Sequence, residues 1–140
     1  MRWLFLFIVF NSYAQSSIYI EQIGDYNSVM INQVGKNNIT SIEQWGSNKT
    51  VNVIVTDNNN SLIIQQKDNG NHDVSISLTG GNKSVNLLQQ GSGNHQSAVQ
   101  LHGNTTGLNS IQSGSTQQTY SLTHTCATAN CGTIIVQQGQ

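Results

Sequence analysis

The chain has 140 residues, of which 8% are charged, with a formal net charge of -1 and no proline. Asn (18), Gln (16), Ser (16), Thr (12) and Gly (13) together fill 75 of the 140 positions. An ordinary soluble domain carries about 25% charged residues and about 5% Pro, so this is not the material of an average enzyme, and the weak charge balance argues against nucleic acid or an anionic membrane surface as a partner. An uncharged, Asn/Gln-rich, proline-free chain suits stacked strands held by side-chain amide ladders. Charge is also lopsided: the stretch from position 84 to the C-terminus contains no Asp, Glu, Lys or Arg and has little to oppose self-association.

The first predicted element is an export signal over residues 1–14. Arg2 gives a positive start, Trp3 to Phe10 is an unbroken apolar run, and Ser12 and Ala14 put small residues at the -3 and -1 positions of a cleavage site. The run is too short to span a bilayer as a helix. A buried N-terminal strand or an anchor is the plainer reading of the same residues. Cleavage would leave Gln15–Gln140 as the mature chain.

The remainder repeats itself. Gln22, Gly24 and Asn27 set a pattern of Gln, Gly two places on and Asn five on, which Gln33/Gly35/Asn38 and Gln89/Gly91/Asn94 reproduce. Degenerate copies sit at Gln44/Gly46/Asn48, Val55/Asp57/Asn60, Gln66/Asp68/Asn71, Leu78/Gly80/Asn82, Gln112/Gly114/Gln117 and Gln137/Gly139. The leading positions 22, 33, 44, 55, 66, 78, 89, 100 and 112 step by 11 or 12, and the copy at 137 follows a longer gap.

Each unit reads as one strand and one turn. Ile18/Ile20/Gln22 make one face of the first strand and Val29/Ile31/Gln33 that of the second. Thr40/Ile42/Gln44, Val51/Val53/Val55 and Leu62/Ile64/Gln66 continue the alternation, and Val74 to Leu78 follows with its apolar face shifted by one. Thr133 to Gln137 is the last strand. Between Ala98/Gln100 and Val99/Leu101, and at Tyr120/Leu122, alternation leaves the inward face open. Abundant β-branched residues and a turn in every unit exclude a helical reading. The Gly-x-x-Asn turns use residue types that reach positive φ at low cost.

Two units make a strand-turn-strand layer, whose length the leading positions put at 22 or 23. Two short strands cannot bury their apolar faces alone, whereas layers stacked at about 4.8 Å can. The expected fold is all-β: a flat two-sheet β-solenoid of five to six stacked repeats, polymerising as cross-β amyloid. Its approximate repeats are 16–37, 38–59, 60–82, 83–105 and 106–140, the last with a Cys-containing insertion near 124–132. Stacking puts Gln22, Gln44, Gln66, Gln89 and Gln112 in one column, and Asn27, Asn71 and Asn94 in another, interrupted at Lys49. In a column, each amide donates to one neighbour and accepts from the other, which removes the penalty of burying it unpaired.

This pattern resembles the curlin repeat of bacterial curli subunits, Ser-x5-Gln-x-Gly-x2-Asn-x-Ala-x3-Gln. Ser16, Gln22, Gly24, Asn27 and Gln33 fit it with Val29 at the Ala position, and Gln89, Gly91, Asn94 and Gln100 fit the same frame with Gln96 there. The resemblance implies a secreted structural subunit that assembles outside the cell into amyloid fibres of an adhesive biofilm matrix, as bulk subunit or as nucleator. Its implied partners are further copies of itself, a related curlin subunit and an outer-membrane secretion apparatus; no cofactor is implied. One departure is that Gln15-Ser16-Ser17 runs straight into a strand, where many bulk curlins carry a Gly/Asn-rich segment.

The other departure is the insertion with Cys126 and Cys131. An exported chain meets an oxidising compartment, and the two could close a small disulfide loop. Free thiols are the next reading; a zinc site lacks its four ligands, although His124 is near. Asp25, Lys36, Lys49, Asp57, Lys67, Asp68, Asp73 and Lys83 fall in or beside turns, as gatekeepers against aggregation or as plain solvated turns. His72 and His95, one layer apart, can stack at one corner and read as two exposed turn histidines, with a pH-sensitive or metal-binding corner as the alternative. No carboxylate pair, triad or metal cluster assembles from the spacings, so no enzyme is expected. The alternative function is a monomeric cell-surface β-solenoid adhesin or carbohydrate-binding protein. Such a protein needs polar caps, and the uncharged, apolar Ile134-Ile135-Val136 has none.

Overall fold

The structure, a computed structural model, describes residues 4–11, 15–103, 106–125 and 131–139. All their elements are strands: β1 (Leu4–Asn11), β2 (Ser17–Ile23), β3 (Asn27–Val34), β4 (Ile39–Trp45), β5 (Lys49–Val55), β6 (Ser61–Gln66), β7 (His72–Leu78), β8 (Lys83–Gln90), β9 (His95–His102), β10 (Thr106–Gly114), β11 (Gln118–Thr125) and β12 (Cys131–Gly139). The odd strands form one six-stranded sheet in the order β1-β3-β5-β7-β9-β11, and the even strands form another in the order β12-β10-β8-β6-β4-β2. All pairings are parallel, and each strand pairs with the strand two places on, so the chain winds as a flat β-solenoid with two strands per turn.

Register follows the repeat. Ser17 lies beside Ile39 and Ile39 beside Ser61, a step of 22 each time, while Ser61 lies beside Ser84, a step of 23. Thr106 lies beside Cys131, a step of 25, where the insertion is absorbed. The apolar run read as the heart of an export signal is β1, in parallel register on the outer edge of β3, with Leu4 beside Asn27 and Asn11 beside Val34.

Alternation decides which side chains enter. The even strands send in Ile42, Leu62, Ile64, Val85, Leu87 and Leu108; the odd strands send in Val29, Ile31, Val51, Val53, Val55, Val74, Ile76, Leu78, Val99 and Leu101. The result is a thin aliphatic strip between the sheets, widened at its ends by Ile18, Ile20, Leu122 and Ile135. The late register is resolved: Val99 and Leu101 point inward and Ala98 and Gln100 outward, while Tyr120 and Leu122 pack on the core.

Tight corners join the sheets. Gly46 has φ +103°, and a Cβ there would run into the Asp68 carbonyl of the next layer. Where the sequence departs from Gly at equivalent corners, Asp57 (φ 77°) and Asp68 (φ 68°) take up the left-handed backbone. Asp is among the few residue types that tolerate it.

Candidate functional site

The even sheet carries a continuous amide ladder. The Nε2 of Gln22 donates to Gln44 Oε1 (2.5 Å), Gln44 to Gln66 (2.9 Å), Gln66 to Gln89 (2.9 Å), Gln89 to Gln112 (2.8 Å) and Gln112 to Gln137 (2.8 Å). The second amide proton is used too. Gln44, Gln66, Gln89 and Gln112 each donate at 3.2 Å to a carbonyl across the interior, those of Ser28, Thr50, Asp73 and Gln96. Both N–H groups of a buried amide are thereby satisfied, and the column braces the two sheets together. The ladder has a direction: each Gln from Gln22 to Gln112 donates toward the C-terminal end.

The odd sheet has no such ladder. Gln33 heads a column that continues through Val55, Leu78 and Leu101 to His124. Gln33 Oε1 accepts from Thr40 Oγ1 (2.9 Å), and its Nε2 is buried without a partner. Gln100, expected as a repeat position, is exposed on the outer face, and Leu101 holds the inward place. A 12-residue step shifts this strand by one, which turns every side chain to the other face.

Two corner columns complete the interior. Asn38 Nδ2 donates to Asp57 O (2.8 Å), and its Oδ1 accepts from the Asn60 backbone N–H (3.0 Å). Asn27 Nδ2 donates to Gly46 O (2.8 Å), and its Oδ1 accepts from the Lys49 N–H (3.1 Å). The Asn27 column then runs through Lys49, His72, His95 and Gln118. Asn71 and Asn94, expected in that column, are instead in the turns beside it, with the Asn71 N–H donating to Asn94 Oδ1 (3.2 Å). The same shift by one puts the following histidine at the corner.

Four buried polar side chains therefore stand where solvated turns were expected. Lys49 (0% exposed), Lys83 (1%), His72 (1%) and His95 (0%) are inside. Lys49 Nζ donates to Asp68 O (2.7 Å) and Gly70 O (3.0 Å), and Lys83 Nζ donates to the Gly81 and Gly103 carbonyls. Burial pushes the Lys49 ammonium down to about 8, opposed by the charge of Asp68, and lowers Lys83 likewise against Asp57. His72 and His95 stack with ring centroids 5.0 Å apart and planes within 3°. Their Nε2 atoms donate to Lys67 O (2.8 Å) and Gln90 O (2.9 Å). Burial first, then the positive charge of Lys49, hold His72 down at about 4. Continuing the repeat step from Asn27 and Asn38 reaches 49, 60, 72, 83 and 95. The repeat itself thus carried the signal for these positions.

The family model described as the curlin associated repeat matches residues 16–53, which hold β2 to β4 and most of β5. Over that minority of its length the chain is similar to the curlin associated repeat. No curated protein and no solved structure matches it.

Among the described residues, both sheets end in open strand edges. β2 and β12 terminate the even sheet, and β11 and β1 terminate the odd one. Among the described residues nothing donates to Gln22 Oε1, and Gln137 only accepts. Near β11, Gln118 Oε1 and His124 Nε2 are buried without partners. Cys131, at the start of β12, is disulfide-bonded; Cys126 lies outside the described residues. On the outer face of the even sheet, Gly107 and Gly132 leave a shallow depression of about 470 Å³ lined also by Ser84, Asn86, Asn109 and Thr133. It offers neither a charged nor an aromatic side chain. Among the described residues, no three His, Cys, Asp or Glu side chains come together as a metal site would need.

Proposed function

We propose that the chain is a secreted structural subunit whose mature form, Gln15–Gln140, adds end to end to copies of itself and builds an extracellular curli-type amyloid fibre for biofilm matrix, adhesion and surface colonisation. A related curlin subunit and an outer-membrane secretion apparatus are its proposed partners. One observation carries the reading: among the described residues both sheets end in open strand edges, and the amide ladder ends in an unfilled acceptor on Gln22 and an unused donor on Gln137. A monomeric solenoid would blunt such edges with charge, a cap or a bulge; here no charged residue follows Lys83. Removal of residues 1–14 would also free the edge of β3 that β1 covers. Each added subunit then extends main-chain pairing, with the ladder's terminal amides at the joint.

Seeded elongation tests this. Gln22→Ala and Gln137→Ala each remove a ladder terminus, and a net hydrogen bond of about 1 kcal/mol corresponds to a roughly fivefold slower addition. Tyr26→Ala, at an exposed turn, should leave the rate near that of the wild type. Equal rates in all three would contradict the proposed growth ends.

A further inference from the structure

The number of strands constrains how copies join. Without β1, the odd sheet holds the five strands β3, β5, β7, β9 and β11, and the even sheet holds the six strands β2, β4, β6, β8, β10 and β12. Gln15–Gln140 thus makes eleven half-turns and finishes on the sheet where it began. Suppose an incoming copy is stacked without rotation, its β2 on β12. Its β3 then stands two strand spacings from β11, about 9–10 Å away instead of about 4.8 Å. The edges of β11 and the incoming β3 would face each other across a missing strand, with their main-chain groups on that side unpaired. The next vacant place along the spiral lies over β11, not over β12. We propose that successive copies of Gln15–Gln140 add with a half-turn rotation about the fibre axis, the β2 of the incoming copy pairing with β11 and its β3 with β12. This rests on the end-to-end reading above.

The ends are built to accept it. β2 and β3 present equivalent inward sets one repeat unit apart, Ile18/Ile20/Gln22 and Val29/Ile31/Gln33, each followed by a corner glycine, Gly24 at φ +119° and Gly35 at +121°. Either strand therefore fits either sheet, and a half-turn keeps the pairing parallel. In the rotated joint, the incoming Ile18, Ile20 and Gln22 stack on Tyr120, Leu122 and His124. Val29, Ile31 and Gln33 stack on Thr133, Ile135 and Gln137. The polar groups left over at the C-terminal end then find partners. His124 Nε2, buried and unpaired, reaches the empty Gln22 Oε1. Gln118 Oε1, also unpaired, comes under the backbone N–H of Ser16. That copies the corner bond in which the Lys49 N–H donates to Asn27 Oδ1. Stacking without rotation leaves both groups facing the gap, at the cost of orphaned buried polar atoms.

Helical reconstruction by electron cryo-microscopy of fibres grown from Gln15–Gln140 tests the joint. The proposal expects successive subunits related by a half-turn plus the sheet twist, with a rise of about 26 Å, eleven half-layers at about 4.8 Å per layer. Subunits related by twist alone, with a rise of about 29 Å for six layers, would overturn it. Fibres of the uncut chain, with six strands in each sheet, should show the unrotated symmetry; the same symmetry in both preparations would overturn the strand-parity argument. Failure of Gln15–Gln140 to form any fibre would overturn the end-to-end reading and the joint with it.

Discussion

Replacing Gln66 by Leu removes one rung of the ladder while nearly preserving side-chain volume. Gln66 is fully buried; it accepts from Gln44 Nε2 and donates to Gln89 Oε1 and to Thr50 O. The substitution leaves Gln89 Oε1 without its donor and one Gln44 N–H without its acceptor, each orphan costing about 1–3 kcal/mol. Burying an aliphatic group instead returns about 1–2 kcal/mol. The net loss is about 2 kcal/mol. Gln65→Leu is the control, because Gln65 sits on the outer face with one bond to Glu43 (2.8 Å), and an exposed pair of that kind is worth under about 1 kcal/mol. Guanidinium titration followed by the β-sheet circular dichroism signal reads the difference. If Gln66→Leu unfolds within about 0.5 kcal/mol of the wild type, the ladder does not stabilise the solenoid and the reasoning fails.

Acid should weaken the fold through His72. Its folded value of about 4 against an ordinary 6.5 means the unfolded chain binds a proton that the folded chain refuses. Stability is then full above pH 6.5 and falls by roughly 2–3 kcal/mol as the pH drops to about 4; His72→Asn should flatten that fall in denaturant titrations at both ends of the range. Lys49→Ala should cost about 2–4 kcal/mol by orphaning the Asp68 and Gly70 carbonyls. Lys49→Asn should recover much of that loss, because Asn27 and Asn38 in the equivalent places reach the matching corner carbonyl of the next layer, as Lys49 does; equal thermal midpoints for the Ala and Asn variants would contradict this. Gly46→Ala should cost about 3 kcal/mol or more, since its Cβ meets the Asp68 carbonyl at φ +103°. Gly107→Ala, with open space around its Cβ, should be neutral in the same assay.

The architecture was legible because the repeat is local. A turn in every unit and strict alternation dictate strand, corner and layer before any tertiary contact is known. The all-β fold, the two sheets and the two-strand layer follow from that arithmetic. What was misplaced was misplaced by a single position. Asn71, Asn94 and Gln100 matched the motif by residue type, yet the 12-residue steps put His72, His95 and Leu101 at the inward positions. The buried lysines were missed for a different reason. Charge argues for solvent, but a corner column ends each layer in carbonyls that need donors, and an ammonium at the tip of a flexible stem supplies them as an amide does. Strand parity could not be read before the structure placed β1 and β12 on opposite sheets.

The most direct test of the fibre account is a thioflavin T time course on Gln15–Gln140 freshly diluted from denaturant, with and without preformed seeds. The account predicts a lag that seeds abolish. A flat trace from a soluble chain with a β-type circular dichroism spectrum would contradict it and would leave a monomeric solenoid whose ligand must be sought on its outer faces.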